Sequence, residues 1–145
     1  MNLLQKTDAY LAPAGRIIMG AFFVLAGISK MTDIAGTAAY IDAVGLPAST
    51  FLAMAGMAIE VGVGGALLIG YKPRIAALVL AGFVLFISFP FHGPGLWAEN
   101  PLEQIMFMKN IAIVAGLLFM AAHAGSFANG TPTYEENSKD PIAAL

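Results

Sequence analysis

Four long apolar segments constrain this chain more than any other feature of its sequence. They run over about Ala14–Met31, Phe51–Tyr71, Ile75–Phe91 and Ile105–His123. Each is close to the roughly 20 residues that a helix needs to cross about 30 Å of hydrocarbon. Of the 145 residues, 59% are hydrophobic and 11% are charged, whereas a soluble domain carries about 25% charged residues. The sequence therefore predicts an all-α integral membrane protein, a four-helix bundle.

The length of the chain indicates one membrane domain over residues 1–145, with residues 125–145 as a loose cytoplasmic tail. The first apolar segment has a competing interpretation as a signal peptide, because Lys6 and Arg16 precede the apolar run. Lys30 follows that run at once, and three further spans would in any case hold the chain in the membrane. A spanning helix is therefore the favoured interpretation.

The composition also limits the classes of function. A net charge of −2 and the absence of a basic patch argue against a nucleic-acid partner. Because the chain has no cysteine, it has no disulfide and no thiolate metal site. His92 and His123 are expected at opposite membrane faces, so we predict neither a paired-histidine haem site nor a metal site. Electrons for any redox reaction would have to travel on a bound cofactor or on a partner subunit.

The positive charges predict the orientation. The turn at Lys72–Arg74 carries two positive charges, whereas the loops Thr32–Thr50 and His92–Gln104 contain aspartate and glutamate but no lysine or arginine. The positive-inside rule then places the Lys72–Arg74 turn and both termini in the cytoplasm. Within the first outer loop, Ala35–Val44 is expected to form a short helix on the outer surface.

A carboxylate, Glu60, lies near the middle of the second span. Such a group costs on the order of a few kcal/mol in lipid, so it requires a cation, a proton or a ligand. Glu60 lies roughly 14 Å below the outer start of its helix, and Lys109 lies about 6 Å below the start of the fourth. We therefore predict a Glu60–Lys109 pair. Arg16 lies at the cytoplasmic end, where contact with lipid head groups is the plain interpretation.

The predicted ligand-binding cluster faces the outer half of the membrane. A carboxylate, an imidazole, an amide and two ammonium groups can move protons or bind the oxygens of a quinone-like head group. A purely structural ion pair is the competing interpretation. The cluster consists of Lys30, Glu60, His92, Lys109 and Asn110.

Glycines at helical spacing predict close packing of the spans, because small residues let helices approach in lipid. A competing interpretation is that they also leave room for a flat ligand beside Glu60. The predicted packing positions are Gly20, Gly27, Gly56, Gly64 and Gly116.

These segments resemble the DoxX family over roughly residues 14 to 125. The resemblance is carried by five motifs in order along the chain. They are Arg16 to Lys30, Gly45-Leu46-Pro47, Ile59-Glu60 with Gly64-Gly65-Ala66-Leu67, Phe91-His92 before Trp97, and Met108-Lys109-Asn110-Ile111-Ala112 with Gly116-Leu117-Leu118.

The resemblance implies a multi-pass protein of the bacterial inner membrane with a link to quinone-dependent oxidation or to defence against oxidative and electrophile stress. It implies at most the membrane subunit of a quinone-dependent oxidoreductase, with quinone as a non-covalent ligand. The expected partners are the lipid bilayer and a soluble or membrane redox subunit. The resemblance is also compatible with a homo-oligomer. Two other classes stay open: a membrane assembly or chaperone-like scaffold without catalytic activity, and a small transporter that uses Glu60 as its proton site.

Overall fold

The computed structural model describes residues 3–124, and their side chains from residue 10 onward. This part of the chain forms five α-helices and one turn of 3₁₀ helix, without a strand. The predicted tail at residues 125–145 lies outside the described residues. The helices are α1 (Leu3–Thr32), α2 (Ile34–Ala43), α3 (Ser49–Ile69), α4 (Pro73–His92) and α5 (Pro101–Ala122), with the 3₁₀ turn at Pro94–Leu96.

Four of these helices are long and apolar enough to cross a membrane, which confirms the predicted fold class. The spanning stretches are Tyr10–Thr32, Ser49–Ile69, Pro73–Leu96 and Pro101–Ala122. The predicted short helix between the first two spans is also present, as α2. Its first turn is capped by Asp33, whose side chain accepts a hydrogen bond from Gly36 N.

The bundle consists of two antiparallel helix pairs. Helix α1 packs along α3, α4 packs along α5, and α3 also touches α4. The link between α3 and α4 is short, and Gly70 at the end of α3 has a φ of 80°, a left-handed conformation that favours glycine. We call the end of the bundle at this link the turn end, and the opposite end, where α2 lies, the α2 end.

The hydrophobic core lies toward the turn end. Leu67, Leu80 and Leu117 are fully buried there, one each from α3, α4 and α5. Small residues of α4, among them Ala77 and Ala81, let α5 approach closely. A second, smaller apolar cluster lies under α2 and contains Ala38, Ile41 and Ala53. The helices are less closely packed between these two clusters, and the candidate site lies in that space.

Candidate functional site

A cavity of about 440 Å³ occupies the half of the bundle near the α2 end. Side chains from α1, α3, α4 and α5 form its walls, and Thr37, Tyr40 and Ile41 of α2 lie over it. Most of the lining is apolar, with aromatic rings such as Phe23, Phe83 and Phe91. The volume falls within the range of about 300–1,000 Å³ that is usual for small-molecule sites.

The cavity also reaches the outside of the bundle. Phe22 of α1 and Phe86 of α4 line it and are nevertheless 46% and 68% exposed. In a membrane these rings face the hydrocarbon, since both lie within spanning stretches. A hydrophobic molecule could therefore enter the cavity from the surrounding lipid.

An ion pair between Lys30 and Glu60 forms one wall. The Lys30 Nζ atom lies 2.8 Å from Glu60 Oε1 and 2.7 Å from Glu60 Oε2. Glu60 is only 4% exposed, so its charge has little access to solvent or to lipid head groups. The pair satisfies the carboxylate at a depth where an unpartnered charge would be costly.

This pairing corrects the prediction that Glu60 pairs with Lys109. The reason lies in which helices are neighbours, because Lys30 is on α1, directly against α3, whereas Lys109 is on α5, which packs against α4. Lys109 still lines the cavity. Its ammonium group donates a hydrogen bond to Met106 Sδ at 3.4 Å, which is a weak acceptor.

A close approach of α1 to α3 brings Lys30 to Glu60. A Cβ atom on Gly27 would lie 2.6 Å from Val61 Cγ2 and 3.0 Å from Glu60 Cβ. Gly20 and Gly64 lie at the same interface, where added Cβ atoms would fall 2.5 Å from Leu68 N and 2.7 Å from Phe23 Cβ respectively. Only glycine fits these three positions without moving one helix.

The other two glycines predicted to pack the helices have more space. A Cβ atom on Gly56 would lie 3.6 Å from Phe83 Cζ, and one on Gly116 would lie 3.6 Å from Met19 Cε. Both distances are ordinary van der Waals contacts, so alanine would fit at either position. Gly56 instead lines the cavity, opposite the Phe83 ring.

Asn110 of α5 is a buried polar side chain on the cavity wall. It is 8% exposed and lines the cavity. Its side-chain amide makes no hydrogen bond to any of the described residues. The amide atoms are not fully enclosed, since among the described side chains only Arg16 Nε is a fully enclosed polar atom without a partner. The amide therefore has two donors and an acceptor free for a group inside the cavity.

His92 ends α4 and contributes an imidazole ring to the same wall. Its Nδ1 atom lies 2.5 Å from Glu103 Oε2, in the first turn of α5. The other carboxylate oxygen of Glu103 accepts a hydrogen bond from Asn100 Nδ2 at 3.2 Å. Trp97 Nε1 donates to the His92 carbonyl oxygen at 2.9 Å. These hydrogen bonds hold the linker between α4 and α5 in place around His92.

The sequence interpretation missed Glu103 as a partner of this cluster, although a local signal was available. Asn100 followed by Glu103 is the pattern of a helix N-terminus, in which the first residue caps and the second lies in the first turn. Asn100 does cap α5, since its side chain accepts a hydrogen bond from Leu102 N. A helix that begins there places Glu103 beside the end of α4.

Tyr40 lies above these residues on α2, outside the spanning stretches. Its ring stacks on Phe91 with centroids 5.1 Å apart. Partial burial, and secondly the negative charge of Glu103, raise the pKa of the Tyr40 phenol above its ordinary value of 10.0. The phenol therefore stays protonated at neutral pH and can donate a hydrogen bond near the cavity.

Arg16 has a different role from the predicted contact with lipid head groups. Its Nη1 atom donates hydrogen bonds to the carbonyl oxygens of Leu67 at 3.0 Å and Leu68 at 2.8 Å, near the end of α3. The last carbonyl groups of a helix have no partner within it, and a positive charge is favourable there. Arg16 thus caps α3 at the turn end, far from the cavity.

Comparison with known proteins places the chain in a family. The model of the DoxX family matches residues 11–93. This chain belongs to the DoxX family. Inner membrane protein YqjF of Escherichia coli (strain K12) is 41% identical to it over 118 residues, which cover 81% of this chain and 87% of that protein. No solved structure matches the chain.

The region matched by the DoxX model contains Lys30, Glu60 and His92, and it ends before α5 begins. Lys109 and Asn110 therefore lie outside it, although the motif around them resembles the family's last one. The four apolar helices and the inner-membrane relative support a multi-pass inner-membrane protein. The comparisons and the four helices thus establish membership of the DoxX family and support a location in the inner membrane.

The cavity of this DoxX-family chain is lined by polar and titratable side chains as well as apolar ones. All five residues of the predicted cluster line the cavity, and the structure adds Glu103 behind His92. Among residues 10–124, no three histidine, aspartate or glutamate side chains lie close enough to share a metal ion. The available chemistry of these residues is hydrogen bonding from Asn110 and Lys109 and proton transfer at His92.

Proposed function

We propose that this protein binds a hydrophobic, quinone-like ligand in the cavity, as a membrane component of quinone-linked redox chemistry or of oxidative and electrophile stress defence. The ring of the ligand would lie among Phe23, Phe83 and Phe91, and its oxygens would face Asn110 and Lys109. Access would be from the lipid, past Phe22 and Phe86.

The observation that carries this proposal is the unpartnered amide of Asn110. The amide is on the cavity wall and has no hydrogen bond to a described residue, so its donors and its acceptor are available to a ligand. A ligand carbonyl or hydroxyl group can bond it without displacing a contact of the fold. Glu60 cannot fill this role as it stands, because Lys30 bonds both of its oxygens.

The charge distribution supports a site in the outer half of the membrane. The turn end carries Lys72 and Arg74, which the positive-inside rule assigns to the cytoplasm. The α2 end, and the cavity with it, would then lie toward the periplasm. A redox partner, soluble or in the membrane, would supply or remove electrons, since the chain has no cysteine of its own.

The test is to purify the protein in a mild detergent and to extract and quantify bound quinone by mass spectrometry. We expect about one quinone per chain in the wild type and a clear loss in Asn110→Ala. The melting temperature should change little, because Asn110 gives no hydrogen bond to the described residues. Ser88→Ala is the matched control, since Ser88 is a buried polar residue of α4 that donates to Val84 O at 2.6 Å and does not line the cavity.

A different result would favour an assembly or scaffold protein. In that case the wild type would leave the membrane without quinone, and Asn110→Ala would lower the melting temperature as a lost structural contact does. The proposal of a quinone site would then be wrong.

A further inference from the structure

We infer that Glu103 is a positioning residue that holds His92 in one tautomer, so that His92 Nε2 accepts a proton from a hydroxyl group of the ligand. This inference rests on the proposed function, because it assigns the acid–base chemistry of the same cavity. In the step itself, the ligand O–H bond breaks and an Nε2–H bond forms. The ligand oxygen keeps the electron pair, and the imidazole becomes an imidazolium.

The tautomer follows from the chemistry of the contact. A carboxylate only accepts hydrogen bonds, so the hydrogen between Glu103 Oε2 and His92 Nδ1 belongs to Nδ1. A neutral imidazole then has an unprotonated Nε2, which is a proton acceptor. This atom makes no hydrogen bond to the other described residues, and the His92 side chain lines the cavity.

The surrounding contacts hold Glu103 and His92 in place. Asn100 bonds the second oxygen of Glu103 and also caps α5, so the carboxylate is oriented from both sides. Trp97 fixes the backbone at His92 through its bond to the carbonyl oxygen. A general base acts efficiently when a second group orients it in this way.

The charged neighbours favour the products of the transfer. The Glu103 carboxylate stabilises the imidazolium, and the Lys109 ammonium, on the same cavity, stabilises the anionic ligand oxygen. The other titratable groups on the cavity are the paired Lys30 and Glu60 and the protonated phenol of Tyr40. The Lys30–Glu60 pair is neutral as a whole, so it does not oppose the formation of a positive charge on His92 and a negative charge on the ligand oxygen.

The first experiment reads the tautomer directly and needs no ligand. The full-length protein is labelled with ¹⁵N-histidine, and His123→Gln removes the signal of the second of the two histidines. The spectra are recorded over a pH series, and once the imidazole is neutral we expect the ¹⁵N shifts of His92 to show the hydrogen on Nδ1. Glu103→Gln should produce a mixture of both tautomers, Glu103→Asp should restore the preference in part, and Glu99→Gln should leave it unchanged.

The second experiment measures the proton transfer with a hydrophobic 4-nitrophenol that carries an alkyl chain. Its phenolate absorbs at a longer wavelength than the phenol, so the absorbance of the bound probe reports the step. We expect phenolate on the wild type, a loss of that absorbance in Glu103→Gln, and its absence in His92→Phe. The His92→Phe variant keeps a ring of similar shape and remains informative if Glu103→Gln does not fold.

The outcomes separate this inference from the proposed function. An unchanged His92 tautomer in Glu103→Gln, or a probe that binds without forming phenolate, would overturn the role of Glu103 and His92 and leave the ligand site intact. If neither the probe nor quinone binds to the wild type, the proposed function is wrong and the acid–base role is wrong with it.

Discussion

The ammonium group of Lys30 contacts both carboxylate oxygens of Glu60, at 2.8 and 2.7 Å. This pair connects the end of α1 to the middle of α3. Its two members are unequal, since the Lys30 side chain is 37% exposed and that of Glu60 only 6%. Loss of the Lys30 side chain would therefore leave the Glu60 charge buried without a partner, whereas loss of the Glu60 carboxylate would leave the Lys30 ammonium group partly exposed.

This asymmetry predicts the stability of three variants. Lys30→Met leaves a buried carboxylate without a partner, which typically costs about 3–5 kcal/mol. Glu60→Gln should cost less, because the freed ammonium group can reach solvent or head groups. The double variant should be more stable than Lys30→Met alone. Thermal unfolding in detergent measures all three.

Lys109→Met is the control for this cycle. We expect this substitution to change the melting temperature little. Lys109 is exposed, and the hydrogen bond that its ammonium group donates goes to a methionine sulfur, which is a weak acceptor. Additive effects of Lys30→Met and Glu60→Gln would contradict the pairing.

Two neighbouring glycines of α3 should respond oppositely to alanine. Gly64→Ala places a Cβ atom 2.7 Å from Phe23 Cβ, so α1 must move, at a cost of about 1–3 kcal/mol. A Cβ atom on Gly62 meets no other atom within 4 Å. Gly62→Ala should therefore be neutral or stabilise the helix by up to about 1 kcal/mol. Equal losses of stability in the two variants would contradict the α1–α3 contact.

Removing the cap that Arg16 provides should destabilise the turn end. Arg16→Met removes two hydrogen bonds from a charged donor, each worth about 1.5–3 kcal/mol. Hydrogen exchange at the last turn of α3 should increase, and the melting temperature should fall. Arg74→Gln is the control, because Arg74 is exposed at the same end of the bundle. Equal protection of the last turn in Arg16→Met and the wild type would exclude the capping role.

The orientation of the bundle can be tested with reporter fusions. Fusions after Arg74 and at the C-terminus should both report the cytoplasm, and a fusion within Glu99–Gln104 should report the periplasm. The physical reason is the pair of positive charges at the turn end. A periplasmic signal at the C-terminus would contradict the predicted arrangement and would place the cavity in the cytoplasmic half.

The spanning helices could be predicted from the sequence because lipid imposes a length and an apolar composition on each one. The choice of partner for Glu60 could not. Residue spacing gives the depth of a side chain along its helix. The predicted depths of Lys109 and Glu60 were close enough for the two side chains to form a pair. Residue spacing does not give the order of the helices around the bundle, which decides that Lys30 is the neighbour.

The members of the site show the same limit. The cluster residues were found by their chemistry, since a charge or an amide within an apolar span is conspicuous. Glu103 was overlooked because it lies in a polar linker, where an acidic residue is ordinary. Its role depends on the linker between α4 and α5 folding back, which the Asn100 cap determines.

The Lys30–Glu60 pair also bears on how the chain enters the bilayer during synthesis. Translocation machinery would release α3 into lipid with a carboxylate at its centre, which is unfavourable for an isolated helix. Lys30 precedes Glu60 by 30 residues, so the neutralising cation is already in the membrane when the acid emerges. A chain made in the reverse order would expose the acid first. The order of synthesis thus provides a cationic partner for Glu60, the residue of the second span that is least compatible with lipid, before Glu60 enters the membrane.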